Sequence, residues 1–585
     1  MNKTISDRLL EIQGSAFHEA EIELKEREFS RDEERKWRGV LECAEFGPIE
    51  VRILLPETFP DSIPEIYVDR SSLFRRVPHV EKNGKVCLAD KTGLLIDSGN
   101  PRGIVADAIN RARNILIDGL SGENDDHFKE EFLAYWGDEA ELVTSICNSS
   151  GQSRVIRKMH LKRESSEEET KSLLTDDLNF ARSWATKTGW KAGRSEESFF
   201  VAIADSFPPP DFGEVLAVKG FFDLIRNNAL PDDWRQLRDW LNKVSLPATI
   251  VMSLPLSLEK GRILIGIRLE EAKSKAKKQA LKGFRPGKVP ASRELLFCNN
   301  APITKLAMLR MDTDYLLTRG GASSDLYSKT VVVIGCGAVG SNIVDHLASL
   351  GVGHLRLIDN ESLSADNLHR HKLGANYIGC NKALGLKSEL AKRLPHIEVE
   401  HREQPIEIVL QETPEFVTDA SLILIALGDE TLELRLNNLL RDTSPRIHAW
   451  VEPLGVGGHI LSVGLRKGAG CFRCLFEHDL THGITNKSAF AAAGQRFQRS
   501  LAGCSGSFTP FASLDADLTA IEAVKLASRI LLDEEKENVL ISWRGDSDDF
   551  VEAGFDLSPR GKMFKKGDKR RETGFHKQGC LDCGQ

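Results

Sequence analysis

No apolar run in the chain approaches the roughly 18 to 20 residues that a bilayer-crossing helix needs, which excludes a membrane-spanning segment of that kind. Positive charge is not in excess. Against 78 Lys and Arg stand 86 Asp and Glu, a formal net charge of -8. Such a balance offers nothing to wrap nucleic acid or an anionic membrane, and no direct nucleic-acid binding is expected. The first residues, MNKTISDRLLEIQGSAFHEAEIELKE, lack the charged-then-apolar plan of a secretion signal, so a cytoplasmic location is expected. Internal repeats are absent. Cysteine is sparse: eleven residues, thinly spread apart from two C-x-x-C pairs. In an unexported protein that argues against a disulfide scaffold and for thiol chemistry or a metal.

What is present fits a soluble globular protein. The 585 residues are 41% hydrophobic and 28% charged, too long for one hydrophobic core and suited to about three or four domains. Residues 1–155 open on a helical pattern (Ile5, Leu9, Leu10, Ile12), pass through strand-like VLECAEF and IEVRILLP, and reach a helical IVADAINRARNILIDGL. Residues 156–175 are charge-dense and read as a solvated linker. Residues 176–300 form a middle region, to which no chemistry is assigned, with ATIVMSLPL and GRILIGIRL reading as a hairpin. From 301 to 585 short apolar strands alternate with amphipathic helices, as a parallel sheet flanked by helices requires.

The last region carries the clearest chemistry. Strand-like VVVIG leads into Gly335-x-Gly337-x-x-Gly340 and a helical SNIVDHLASLG. A glycine turn lets the backbone approach a phosphate, and the helix N-terminus adds N–H groups and positive dipole. The next strand, HLRLID, ends at Asp359, 24 residues beyond Gly335, which suits an acidic residue gripping a ribose hydroxyl. Arg370 and Lys382 follow, two cations that suit a triphosphate better than a dinucleotide and argue against a nicotinamide dehydrogenase. A later strand, ASLILIALG, delivers Asp429 at its C-terminal edge, where a carboxylate can hold Mg²⁺ against phosphates. Cys471-x-x-Cys474 and Cys580-x-x-Cys583 have zinc-ligand spacing, and four thiolates close a structural Zn²⁺ site.

The stretch GCGAVGSNIVDHLASLGVGHLRLIDNESLSADNLHRH resembles the adenylation core of ubiquitin-activating enzymes and of their bacterial sulfur-carrier-activating relatives. The resemblance implies ATP and Mg²⁺ as cofactors, a Rossmann-like fold with a four-cysteine zinc site, and adenylation of a protein C-terminus. It implies that Asp359 binds ribose, that Asn367, Arg370 and Lys382 bind phosphate, and that Asp429 binds Mg²⁺. His371 departs from the Gln usual in the sulfur-carrier enzymes. A homodimer is implied too, because the family supplies an N-terminal arginine to the neighbouring subunit; Arg310 and Arg319 both qualify. Cys504, in LAGCSGSFTPFASLDADLTAIEAVKLA, matches the cysteine that attacks the acyl adenylate.

A second resemblance covers the N-terminal domain. Trp37-x-Gly39, IEVRILLPETFPDSIPEIYV and PHVEKNGKVCL are similar to the α+β ubiquitin-conjugating fold. That fold carries a His-Pro-Asn tripeptide with a cysteine eight residues after the Asn. Here Pro78 is retained, Val77 takes the His position, and His79 takes the Asn position eight residues before Cys87. An imidazole N–H can donate to the oxyanion formed when an amine attacks a thioester. Cys87 is therefore the expected acyl carrier. An α/β multidomain enzyme follows, with an N-terminal conjugating-like domain, a linker domain and a C-terminal adenylation domain. It would load Cys504, pass the acyl group to Cys87 and deliver it to an amine such as lysine. Fusions of this kind resemble bacterial antiphage proteins that act on a cGAS-like nucleotidyltransferase. The competing expectation is a sulfur-transfer enzyme with a docking module at its N-terminus.

Overall fold

The computed structural model describes all residues except 1–4, 90–93, 258–260, 272–274, 276–277, 280–281, 286–288, 501–506 and 584–585. Two compact units are present. The first comprises residues 1–159, 172–176 and 195–309; the second comprises 160–171, 177–194 and 310–585.

The first unit begins with the helix Ile5–Glu26 and a four-stranded meander. Its strands are β1 (Ser30–Glu33), β2 (Lys36–Glu42), β3 (Pro48–Leu54) and β4 (Glu65–Val68), in that spatial order. Exposure alternates along β2 and β3, so Trp37, Leu41, Ile49, Val51 and Ile53 share the covered face. The helix Pro101–Ser121 covers it, burying Val105, Ala108, Ile109, Ala112 and Leu116 at helical spacing. Asn100 caps this helix by accepting from the Gly103 N–H at 3.0 Å, Pro101 occupies its first turn, and Gly122 ends it in the left-handed region. Gly39 is required where β2 passes Phe29, because a Cβ there would lie 2.3 Å from the ring. The apolar residues Ile5, Leu9, Leu10 and Ile12 do lie on a helix, but all four are exposed.

A closed barrel follows. Its strands are β5 (Glu141–Ser145), β6 (Arg154–Arg163), β7 (Ser166–Thr175), β8 (Trp190–Ala202), β9 (Ala248–Ser257), β10 (Gly261–Leu269) and β11 (Thr304–Arg310). The order around it is β10-β11-β5-β7-β6-β8-β9. The expected hairpin is the antiparallel β9–β10 pair, with Val251 opposite Gly266. The linker expected at 156–175 is instead most of β6 and all of β7. Charged residues alternate there with buried Ile156, Met159, Leu161, Leu173 and Leu174. Read as composition, the segment looks solvated; read with period two, it is a strand pair with one wet face. β5 and β11 also place residues before 156 and after 300 in the barrel.

The second unit is built on an eight-stranded sheet. Parallel β12 (Thr330–Ile334), β13 (His354–Ile358), β14 (Glu398–Arg402), β15 (Leu422–Ile425) and β16 (Arg446–Val451) form one side. β17 (Gly457–Val463) extends it, and β18 (Phe476–Asp479) pairs with β19 (Gly483–Asn486) as a separate hairpin. β20 (Arg499–Ser500) pairs with β21 (Ser507–Phe508), while β22 (Leu540–Arg544), antiparallel to β17, and β23 (Lys569–Glu572), antiparallel to β22, complete the main sheet. The full order is β14-β13-β12-β15-β16-β17-β22-β23. β12 is buried on both faces. Val331 and Val333 join one apolar cluster, Val332 and Ile334 another, which is why it reads as an unbroken apolar run. No helix among the described residues is long and apolar enough to cross a membrane.

Candidate active sites

At the C-terminal end of β12 the chain turns through Gly335 at φ +87°. A Cβ at Gly335 would lie 2.6 Å from the Ala426 carbonyl oxygen, and one at Gly340 would lie 1.8 Å from that of Gly335. Only glycine permits this close packing of loop, strand and helix. The helix Ala338–Leu350 starts directly after Gly337, where a Cβ would meet open space. A cavity of ≈ 280 Å³ opens there, lined by Gly335, Gly337, Asp359, Glu361, Pro405 and Leu427, among others. Asn367 and Arg370 line a second one of ≈ 190 Å³ with Ala338, His371, Thr509 and Phe511.

Asp359 is held from two sides. It accepts from the Cys336 N–H at 2.6 Å and the Glu361 N–H at 2.8 Å. Burial raises its pKa above the ordinary carboxylate value, against these hydrogen bonds. Lys382 is buried and paired with Glu361. Arg370 lies 4.5 Å over the Phe511 ring and donates to the Thr509 carbonyl at 3.4 Å. His371 accepts the Leu373 N–H on Nδ1 at 3.0 Å, which leaves Nε2 to donate to the Cys336 carbonyl at 2.7 Å. Burial lowers its pKa to about 4, so it stays neutral. It thus ties the glycine loop at Cys336 to its own segment at Leu373, with one donor and one acceptor.

Asp429 lies at the strand edge beyond β15, as expected, but lines neither cavity. It caps the helix Glu430–Leu439, accepting from the Thr431 and Leu432 N–H groups at 3.0 and 3.1 Å. Arg310 forms a two-bond ion pair with buried Asp312, both bonds 2.8 Å, whereas Arg319 is exposed on the helix Thr313–Gly320. Cys504 lies outside the described residues. Five and seven residues beyond it, Thr509 and Phe511 line the cavity that holds Arg370.

The two C-x-x-C pairs come together. The Sγ separations are 3.9 Å for Cys471–Cys474, 3.7 Å for Cys471–Cys580 and 3.4 Å for Cys474–Cys583. A ZnS₄ tetrahedron with bonds of about 2.3 Å has edges of roughly 3.8 Å, so the quartet has the dimensions of a closed zinc site. Asp582, inside the second pair, was not anticipated. It accepts from Asn437 at 2.7 Å and Asn438 at 3.0 Å, and pairs with Arg473 at 3.0 Å. These contacts join the C-terminal pair to the helix that Asp429 caps.

In the first unit, Cys87 and His79 face each other across a tight turn. The Cys87 N–H donates to the His79 carbonyl at 2.7 Å, and Val80 bridges Val86 in antiparallel register. Val80, Val86 and Leu88 are buried while Cys87 is exposed, so alternation along 86–88 turns the thiol outward. Val77 is buried instead, packed against Gly119. His79 has φ +62°, a left-handed conformation uncommon outside glycine. Glu131 holds it there, accepting from the His79 N–H at 3.0 Å and contacting Nδ1 at 2.7 Å. The Glu131 hydrogen bond raises His79 above its ordinary pKa, against burial. Burial works to raise Glu131, but its bonds from His79 outweigh that and lower it. Nothing in local spacing marks Glu131, which is 52 residues away.

Residues 14–144 match the Prokaryotic E2 family B, and residues 315–548 match the ThiF family. The chain is 24% identical over 474 residues to the ATP-dependent ubiquitin transferase-like protein Cap2 of Pseudomonas aeruginosa, covering 76% of this chain and 79% of that protein. It is 21% identical to Cap2 of Escherichia coli, over 80% of this chain and 82% of that one. A crystal structure of E. coli MccB with AMPCPP and MccA aligns at 18% identity with a TM-score of 0.33, covering 45% of this chain and 68% of that chain. The chain is accordingly a ubiquitin-like activating and conjugating enzyme, in which an E2-like domain precedes a ThiF-type adenylation domain.

Proposed function

We propose that this enzyme adenylates the C-terminus of a protein with ATP, captures it as a thioester on Cys504, passes it to Cys87 and ligates it to an amine. The carrying observation is that one chain holds both a glycine-loop cavity with an aspartate at its rim and an exposed cysteine opposite a carboxylate-held histidine. In the first site the glycine-loop N–H groups, Arg370, Asn367 and Lys382 would hold the phosphates, and Asp359 the ribose. Lys382 would leave Glu361 for the phosphate, a closer match in charge. ATP supplies the leaving group, and Mg²⁺ at Asp429 would neutralise phosphate charge. Thr509 and Phe511 lead from Cys504 into the Arg370 cavity, which supports attack by that thiol beside the phosphates. Zn²⁺ would close the cysteine quartet and take no part in chemistry.

In the second site Cys87 would carry the acyl group to the attacking amine, and His79, whose ring nitrogens are taken up by Glu131 and His127, would act through those partners instead of donating to the oxyanion. The activated protein is, in this reading, a cGAS-like nucleotidyltransferase, the acceptor a lysine and the setting antiphage defence; Arg319, exposed where Arg310 is paired, would reach a second subunit. Incubating the protein with ATP, Mg²⁺ and the candidate substrate, followed by intact mass spectrometry, tests this. The expected adduct has the substrate mass less water and is released by added thiol. Pyrophosphate exchange without any thiol-labile adduct would overturn the thioester steps.

A further inference from the structure

His127 is the remaining member of a side-chain chain that starts at Glu131. Its Nδ1 lies 2.8 Å from His79 Nε2, with the rings edge-on at 5.0 Å between centroids. It opens the short helix His127–Glu130 and is exposed, so it continues the line from Glu131 through His79 to solvent. The Cys87 N–H donates to the His79 carbonyl at 2.7 Å, which brings the two residues together at one turn. A structural anchor for a strained backbone needs only the Glu131–His79 contact. The second imidazole adds nothing to that anchoring.

We propose that Glu131, His79 and His127 form a proton relay in which His127 is the general base for the acceptor amine, a reading that rests on Cys87 being the acyl carrier. The hydrogen-bond network fixes the tautomers. Glu131 accepts from His79 Nδ1–H, so neutral His79 presents a lone pair at Nε2. That lone pair accepts from His127 Nδ1–H, leaving His127 Nε2 open as a base.

The amine enters as its free base. Its nitrogen attacks the thioester carbonyl, the C–N bond forms, and the C–S bond breaks to release Cys87 as thiolate. One N–H proton moves to His127 Nε2, and the Nδ1 proton of His127 moves to His79 Nε2. His79 then rests as imidazolium against the Glu131 carboxylate. The thiolate recovers a proton from this store or from water, and the balance closes. His127 is the catalytic residue; His79 in this role and Glu131 are positioning residues.

The sign of the pH dependence follows. His79 faces Glu131, His127, the charge of Glu130 and, across the turn, Cys87; Glu131 also acts on Tyr135. The relay works only while His79 is neutral. Because Glu131 raises the His79 pKa, amine transfer should fall as pH drops through a point above the ordinary histidine value of about 6.5.

The test uses full-length Cys504→Ala protein whose Cys87 is loaded by exchange with a synthetic glycine-terminated peptide thioester, with Cys504→Ala/Cys87→Ala as control. Discharge to free lysine is followed by mass spectrometry from about pH 5.5 to about pH 9, a range spanning histidine titration. Adding His127→Ala should slow discharge on the order of 10²-fold or more, and added imidazole should restore part of the rate. Adding Glu131→Gln should move the inflection down toward the ordinary histidine value. Discharge with the same rate and pH profile in His127→Ala would overturn the relay while leaving the carrier role intact. Failure of Cys87 to accept the peptide at all would overturn the carrier reading, and the relay with it.

Discussion

Asp429 has a structural duty that one pair of substitutions separates from the proposed metal-binding one. Its side chain caps the helix Glu430–Leu439, and asparagine caps about as well as aspartate. Asp429→Asn should therefore melt close to the parent protein, whereas Asp429→Ala should lose about 1 kcal/mol. Both should lose pyrophosphate exchange, since neither brings a charged oxygen to Mg²⁺. Normal exchange by folded Asp429→Asn would remove Asp429 from the ATP site. His79 presents the same kind of overlap. His79 already bears the left-handed backbone at φ +62°, so alanine there chiefly loses the Glu131 contact, while asparagine adopts this backbone more readily. His79→Ala should still load Cys87, and its discharge to lysine should slow on the order of 10²-fold with the proton acceptor for His127 gone. His79→Asn suits the backbone but takes up no proton, and should be about as slow. Equal discharge rates in the parent and both variants would show that His79 takes no part in proton transfer.

The quartet of cysteines belongs with the helix Glu430–Leu439 as one element. Asp582 joins the last C-x-x-C pair to Asn437 and Asn438 on that helix, and Asn437 in turn accepts from the Phe472 N–H beside the first pair at 3.2 Å. A closed thiolate site contributes its binding free energy to folding. A strong chelator or Cys580→Ser should therefore lower the melting temperature, and zinc-free protein by elemental analysis, stable without metal, would remove the ion. Such long-range ties explain what could be read from the sequence. The glycine loop, β12 and Asp359 were legible because the motif is contiguous and its strand is buried on both faces. The β9–β10 hairpin was legible from its two apolar runs. The strands β6 and β7 were hidden, since their charged residues dominate the composition while the buried ones alternate beneath. Glu131, His127 and Asp582 were hidden for a different reason. Each gains meaning only from a partner 48 or more residues away, and no local pattern records that.

The two chemistries lie in separate compact units, Cys87 in the first and the glycine loop in the second. The order of acyl transfer therefore follows from which unit holds the nucleotide. In the proposed sequence an adenylate formed at the glycine loop would be captured by Cys504 first, so Cys504 should load before Cys87. Each thioester keeps the acyl group activated, whereas the amide is the low-energy end of the sequence. With ATP and substrate, Cys504→Ala should still exchange pyrophosphate but carry nothing on Cys87. Cys87→Ala should accumulate a thiol-sensitive adduct on Cys504 and form no amide. The double variant should retain exchange alone. Gel analysis with and without reducing agent reads all three states, because only the amide survives thiol. If Cys87→Ala makes thiol-resistant product at the parent rate, acyl transfer ends at Cys504. The E2-like domain would then serve to dock substrate beside the adenylation site, which is what the sulfur-transfer expectation requires.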